Sequence, residues 1–168
     1  MVQFSVVREF NTAGPNQPDL HYTLPPLARL NLPELLALID GRRYFVLHAP
    51  RQTGKTSCLL ALRDHLNHVG RYRCLYVNVE GAQAQREDAG EAVRSILSEY
   101  AQRAEETLAD PWPQQVWYDL WVKSGADAFK ALLSVHAARE TRPLVLLIDE
   151  LDALIGDTLI SVLRQLRA

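Results

Sequence analysis

Residues 44–57 read Tyr-Phe-Val-Leu-His-Ala-Pro-Arg-Gln-Thr-Gly-Lys-Thr-Ser, and the fold class turns on this stretch. The apolar residues Tyr44, Phe45, Val46 and Leu47 predict a buried strand, and the pattern from Gly54 onward predicts a helix. A strand, a turn and Gly-Lys-Thr opening a helix form the setting of a phosphate-binding P-loop. There the backbone N–H groups of the turn and first helical turn point at an anion, and the helix dipole adds to the attraction. In this reading Ala49, Pro50, Arg51, Gln52, Thr53, Gly54, Lys55, Thr56 and Ser57 form the cradle. Gly54 lets the backbone approach closely, Lys55 brings a point charge to the β- and γ-phosphates of a nucleotide, and the Thr56 hydroxyl ligates Mg²⁺. Ala49 stands where the strict G-x-x-x-x-G-K-[ST] pattern begins with glycine, so the match is to the relaxed form of the motif. The competing reading is an ordinary strand-to-helix turn carrying a surface lysine. The position of the pattern between a strand and a helix weighs against it.

A second motif follows at Leu144-Val-Leu-Leu-Ile-Asp149-Glu150. Five apolar residues ending in an acidic pair predict a central parallel strand with carboxylates at its C-terminal end, the edge at which open α/β sheets bind their ligands. Asp149 is then a candidate Mg²⁺ ligand, directly or through water, and Glu150 the base that orients and deprotonates an attacking water. A buried strand ending in Asp-Glu is a weak signal alone. It gains its weight from the P-loop. The plainer alternative makes either carboxylate a helix cap.

At 168 residues with 48% hydrophobic content, the chain is long enough to bury roughly 70% of its unfolded surface. A net charge of −2 offers no general attraction to nucleic acid. Cys58 and Cys74, the two cysteines, give no disulfide framework and read as small buried hydrophobes in a reducing compartment. No apolar run reaches membrane-spanning length and no signal-peptide pattern opens the chain, so a cytoplasmic location without membrane contact is expected.

In chain order, Val2, Phe4 and Val6 alternate with polar residues and predict a short strand over 2–7, and the proline-rich stretch 11–26 predicts a loop. Within that loop His21-Tyr-Thr-Leu-Pro-Pro offers Tyr22 as a wall of a base pocket, or Tyr22 and Leu24 as cover for a sheet. A short helix is expected over 33–40, stopped by Gly41. The helix after the P-loop ends at Gly70, and a second strand runs from Cys74 to Val79. Asp88 and Glu91 make a capping-box pair for a helix reaching about Thr107. Prolines 111 and 113 forbid a regular helix start before residue 114. Trp112, Trp117 and Trp121 form either a hydrophobic plug or a docking surface for a partner protein or a second copy. A helix over 125–139, capped by Ser124, carries His136 as a packing residue. Asp157 caps a last helix.

The runs Phe10-Asn-Thr-Ala-Gly-Pro, His21-Tyr-Thr-Leu-Pro-Pro, His48-Ala-Pro-Arg-Gln-Thr-Gly-Lys-Thr, Ile148-Asp-Glu-Leu-Asp-Ala-Leu and Leu159-Ile-Ser-Val-Leu-Arg-Gln-Leu-Arg together resemble a bacterial family of AAA-like ATP-binding proteins. That family is related to the STAND and AAA+ groups of P-loop ATPases. The resemblance covers residues 10–168. It implies an α/β P-loop NTPase fold, a three-layer α/β/α arrangement on a mostly parallel sheet, with ATP and Mg²⁺ as cofactors. It gives Lys55, Thr56, Asp149 and Glu150 the phosphate, magnesium and water-activating roles argued above. Residues 1–43 are expected to flank the nucleotide site and 44–168 to form the ATPase core. Relatives carry a sensor strand between the P-loop strand and the Asp-Glu strand, and a lid further on. Neither is encoded here, so the chain is expected to be the N-terminal portion of a larger ATPase, with impaired hydrolysis. Two rival functions remain open: a nucleotide-dependent assembly switch with little turnover, and the ATPase module of a nucleic-acid-acting system.

Overall fold

The computed structural model describes residues 8–12, 17, 19–50, 52–85 and 88–167. The strand expected over 2–7 and the cradle residue Arg51 lie outside the described residues, as do 13–16 and 18 of the expected loop. The chain divides into two compact units, Met1–Cys58 and Leu59–Ala168.

In the first unit, Glu9 and His21 form an isolated parallel bridge, followed by the single turn Pro26–Arg29. Helix α1, Leu32–Asp40, carries Pro33 in its first turn and meets Gly41 at its C-cap, and it buries Leu35 and Ile39. Proline is harmless at that end because the first N–H groups of a helix have no intrahelical acceptor. Helix α2, Lys55–Val69, begins in this unit and continues into the second. The strand expected at 44–47 is corrected: these residues form no ladder among those described, and Tyr44 and Val46 are 74% and 88% exposed. Phe45 and Leu47 are half-buried, so the two-residue alternation of a strand is present without its pairing. An apolar run proposes a strand, but only paired N–H and C=O groups make one.

The second unit is built on two parallel strands, β1 (Arg73–Asn78) and β2 (Leu144–Asp149). They run in register from Arg73 opposite Leu144 to Asn78 opposite Asp149. The four central residues of β1 are all buried, as expected of a parallel strand covered on both faces. The far edge of β1 is closed at one point by a side chain: the Asn67 amide of α2 accepts from Cys74 N–H (2.8 Å) and donates to Cys74 C=O (2.9 Å). Burial pushes the Cys74 thiol up to about 12, so it carries no thiolate at neutral pH.

Helix α3, Ala89–Leu108, starts as expected. The Asp88 carboxylate accepts from the N–H groups of Gly90 and Glu91, while Glu91 pairs with Arg94 instead of closing the capping box. Its inner face, Val93, Ile96, Leu97 and Tyr100, joins Leu75 and Val77 of β1, Phe129, Leu132 and Val162 in one apolar core. Helix α4, Trp112–Ser124, corrects the expected start at 114. Pro111 is its N-cap and Pro113 lies in its first turn, where a missing N–H leaves no bond unmade. Helix α5, Ala128–Arg139, follows a single turn over Gly125–Asp127. Ser124 therefore ends α4 and does not cap α5. Helix α6, Gly156–Arg167, begins one residue before Asp157, which lies in its first turn.

The three tryptophans pack half-buried against the core, in the manner of a plug. Trp121 donates its indole N–H to Gly90 C=O (3.0 Å), and the Arg139 guanidinium lies 4.5 Å above the Trp112 ring. Tyr118 remains exposed. His136 is fully buried and packed as expected, bonded to the Tyr100 hydroxyl (2.7 Å) and the Asp110 carboxylate (3.0 Å). Arg73 neutralises the adjoining Glu140 at 3.0 Å.

Candidate functional site

The P-loop residues belong to the first unit and the acidic pair to the second, so each group is described within its own unit.

Gly54 has φ +79°, a left-handed conformation that glycine adopts freely and a side chain resists. This is the backbone the Gly-Lys-Thr reading requires. Its carbonyl accepts from Cys58 N–H (3.0 Å) and so starts α2. Gln52 also has a positive φ, +60°. Thr53 closes the turn by donating its hydroxyl to Pro50 C=O at 2.8 Å. Lys55 folds back over the loop, its ammonium donating to Ala49 C=O (3.0 Å) and Pro50 C=O (3.1 Å). Thr56 and Ser57 lie exposed in the first turn of the helix.

Beside the loop lies a hollow of about 150 Å³ whose lining includes Arg29, His48, Ala49, Thr53 and Lys55. Pockets for whole ligands run to roughly 300–1,000 Å³, so this hollow suits a phosphate end and not a complete nucleotide. Tyr22 does not line it. Its ring is 57% exposed, with its centroid 5.0 Å from that of Phe10. Leu24 is also 73% exposed. A lysine ammonium and the N-terminal turn of a long helix are groups that attract an anion.

A larger, more open groove of about 550 Å³ runs past the end of β1 and along α3. Its lining holds three carboxylates, Glu80, Glu91 and Glu99, against one cation, Arg94, a balance that does not attract a phosphate chain.

In the second unit Asp149 ends β2 and is 7% exposed. One carboxylate oxygen accepts from the Tyr76 hydroxyl (3.0 Å) and the other from Glu150 N–H (3.0 Å). The two donors fix the orientation of the carboxylate, an oxygen ligand of the type Mg²⁺ takes. Burial, and then the Asp149 charge, push the Tyr76 hydroxyl well above its ordinary range, so it remains a donor. Glu150 is exposed and held at φ +57°, ψ +35°.

Tyr76 is the residue that sequence reasoning missed. A hydroxyl in a buried strand needs a partner, but only the register identifies it. Tyr76 stands opposite Leu147, which places Asp149 diagonally next to it on the same face. Tyr76→Phe should lower the melting temperature by roughly 3–12 °C, since a hydrogen bond to a charged group contributes about 1.5–3 kcal/mol. An unchanged calorimetric melt would show that this bond does not hold Asp149.

Among the described residues no helix is long and apolar enough to cross a membrane. No curated protein and no solved structure matches the chain. Residues 29–167 match the AAA ATPase domain family, a span that takes in the P-loop, both strands and the acidic pair. The chain belongs to the AAA ATPase domain family, with the P-loop α/β fold that membership implies.

Proposed function

We propose that this chain binds Mg-ATP at residues 49–57 and hydrolyses it to ADP and phosphate. The ATPase core is read as residues 44–168 in a three-layer α/β/α arrangement, with 1–43 flanking the nucleotide site. The observation that carries the reading is the loop itself: a left-handed Gly54 opening α2, and a Lys55 ammonium held over the loop by the carbonyls of Ala49 and Pro50. Those two carbonyls stand in for phosphate oxygens, and the ammonium exchanges them for the stronger anionic acceptor when nucleotide enters.

Each residue then has one task. The N–H groups of the cradle and the first turn of α2 bind phosphate oxygens. Thr56 and Asp149 hold the magnesium, which when bound neutralises phosphate charge. Tyr76 and the Glu150 N–H keep Asp149 oriented. Glu150, an exposed residue, accepts the proton of the attacking water.

The test is calorimetric titration of the chain with ATP, with and without Mg²⁺, alongside a phosphate-release assay. Saturable, magnesium-enhanced binding with release of phosphate is expected. Absence of nucleotide binding at millimolar concentration would end the proposal.

A further inference from the structure

Arg29 is a cation beside the P-loop that the Gly-Lys-Thr motif does not include. It closes the turn Pro26–Arg29 and places Nη1 2.9 Å from the point at which a side chain on Gly54 would begin. The residue is exposed and, among the described residues, makes no ion pair or hydrogen bond. With Lys55 it lines the same small hollow. A guanidinium without a carboxylate normally extends into water, where its hydration is best. This one lies against a loop that already carries the Lys55 cation, an arrangement that like charges disfavour unless an anion comes between them. The planar fork of arginine also suits two oxygens of one phosphate group better than an ammonium does.

We propose that Arg29 is a second phosphate ligand, delivered in cis from the turn ahead of the P-loop, so that a nucleotide's phosphate chain is held between its guanidinium and the Lys55 ammonium. The inference rests on the P-loop reading given above. It extends the site backward by twenty residues from the loop's first position, into a segment where no motif marks it. The glycine requirement at 54 comes from its φ; the flexible Arg29 tip is free to shift as ligand enters.

The experiment compares the wild-type chain, Arg29→Gln, Arg29→Lys and Lys55→Ala in calorimetric titrations with ATP and with inorganic tripolyphosphate, which has phosphates and no base. Arg29→Gln should weaken both ligands by the same factor, about tenfold to a hundredfold for one charge-assisted contact, and Arg29→Lys should recover part of the loss. Melting temperatures should stay equal, because the side chain is exposed and unpaired. If Lys55→Ala weakens binding and Arg29→Gln does not, the P-loop reading stands and this inference fails. If Arg29→Gln weakens ATP alone, or the wild type does not bind tripolyphosphate, Arg29 serves the sugar or base and the proposal is overturned. If Lys55→Ala changes nothing, the P-loop reading itself fails and takes the inference with it.

Discussion

Glu150→Gln should bind Mg-ATP as the wild type does and release phosphate roughly 10²–10⁴ times more slowly, the usual contribution of a positioned general base. The amide keeps the size and exposure of the side chain but cannot accept a proton from water. Its backbone N–H still donates to Asp149, so that carboxylate is undisturbed. Glu150→Gly is the useful companion. At φ +57° a non-glycine residue carries strain of about 1 kcal/mol, which glycine relieves while deleting the same carboxylate. Activity should therefore fall in both variants with no matching loss of stability. Asp149→Asn should act differently, weakening the magnesium dependence of binding. Phosphate release by Glu150→Gln at the wild-type rate would remove Glu150 from the mechanism.

Lys55→Ala should lower ATP affinity about tenfold to a hundredfold, since a charge-assisted contact to phosphate contributes roughly 1.5–3 kcal/mol. The loop should survive the change. The carbonyls of Ala49 and Pro50 that the ammonium now holds belong to half-buried and exposed residues, and water replaces the lost donor there. A melt close to that of the wild type, with ATP binding greatly weakened, is the expected pair of results. Equal affinities for the two proteins would show that residues 49–57 are not a nucleotide cradle.

The parts of this chain that could be read from sequence are those fixed by local chemistry. Gly54, Gly70 and the Asp88 carboxylate mark helix ends because each acts within a few residues of itself, and the structure uses all three. The acidic pair was legible because five apolar residues running into two carboxylates describe a strand end. What depends on distant partners was not legible. Residues 44–47 have a strand's composition but no ladder among the described residues, and composition does not reveal pairing. The start of α4 was misplaced by weighing proline as a helix breaker, when two prolines at a helix N-terminus meet no lost bond. Tyr76 and Arg29 were missed for the same reason as each other: each is defined by what it faces across the fold, Asp149 in one case and Gly54 in the other.

The Asn67 clasp on Cys74 gives the two-stranded sheet a direction of growth. Along β1 the residues alternate between facing β2 and facing outward, and Arg73 and Val79 donate toward the β2 side. Cys74 therefore faces outward, and both of its peptide groups are already engaged by a side-chain amide. A strand arriving on that flank would have to break this amide pair to bond at Cys74. By the same alternation the peptide groups of Leu144, Leu146 and Ile148 face away from β1 and have no ladder partner among the described residues. Exposed edges recruit strands and occupied ones do not. The clasp thus favours recruitment at the β2 flank, the flank of the strand that ends in Asp149, and a newcomer there would come to lie beside the acidic pair.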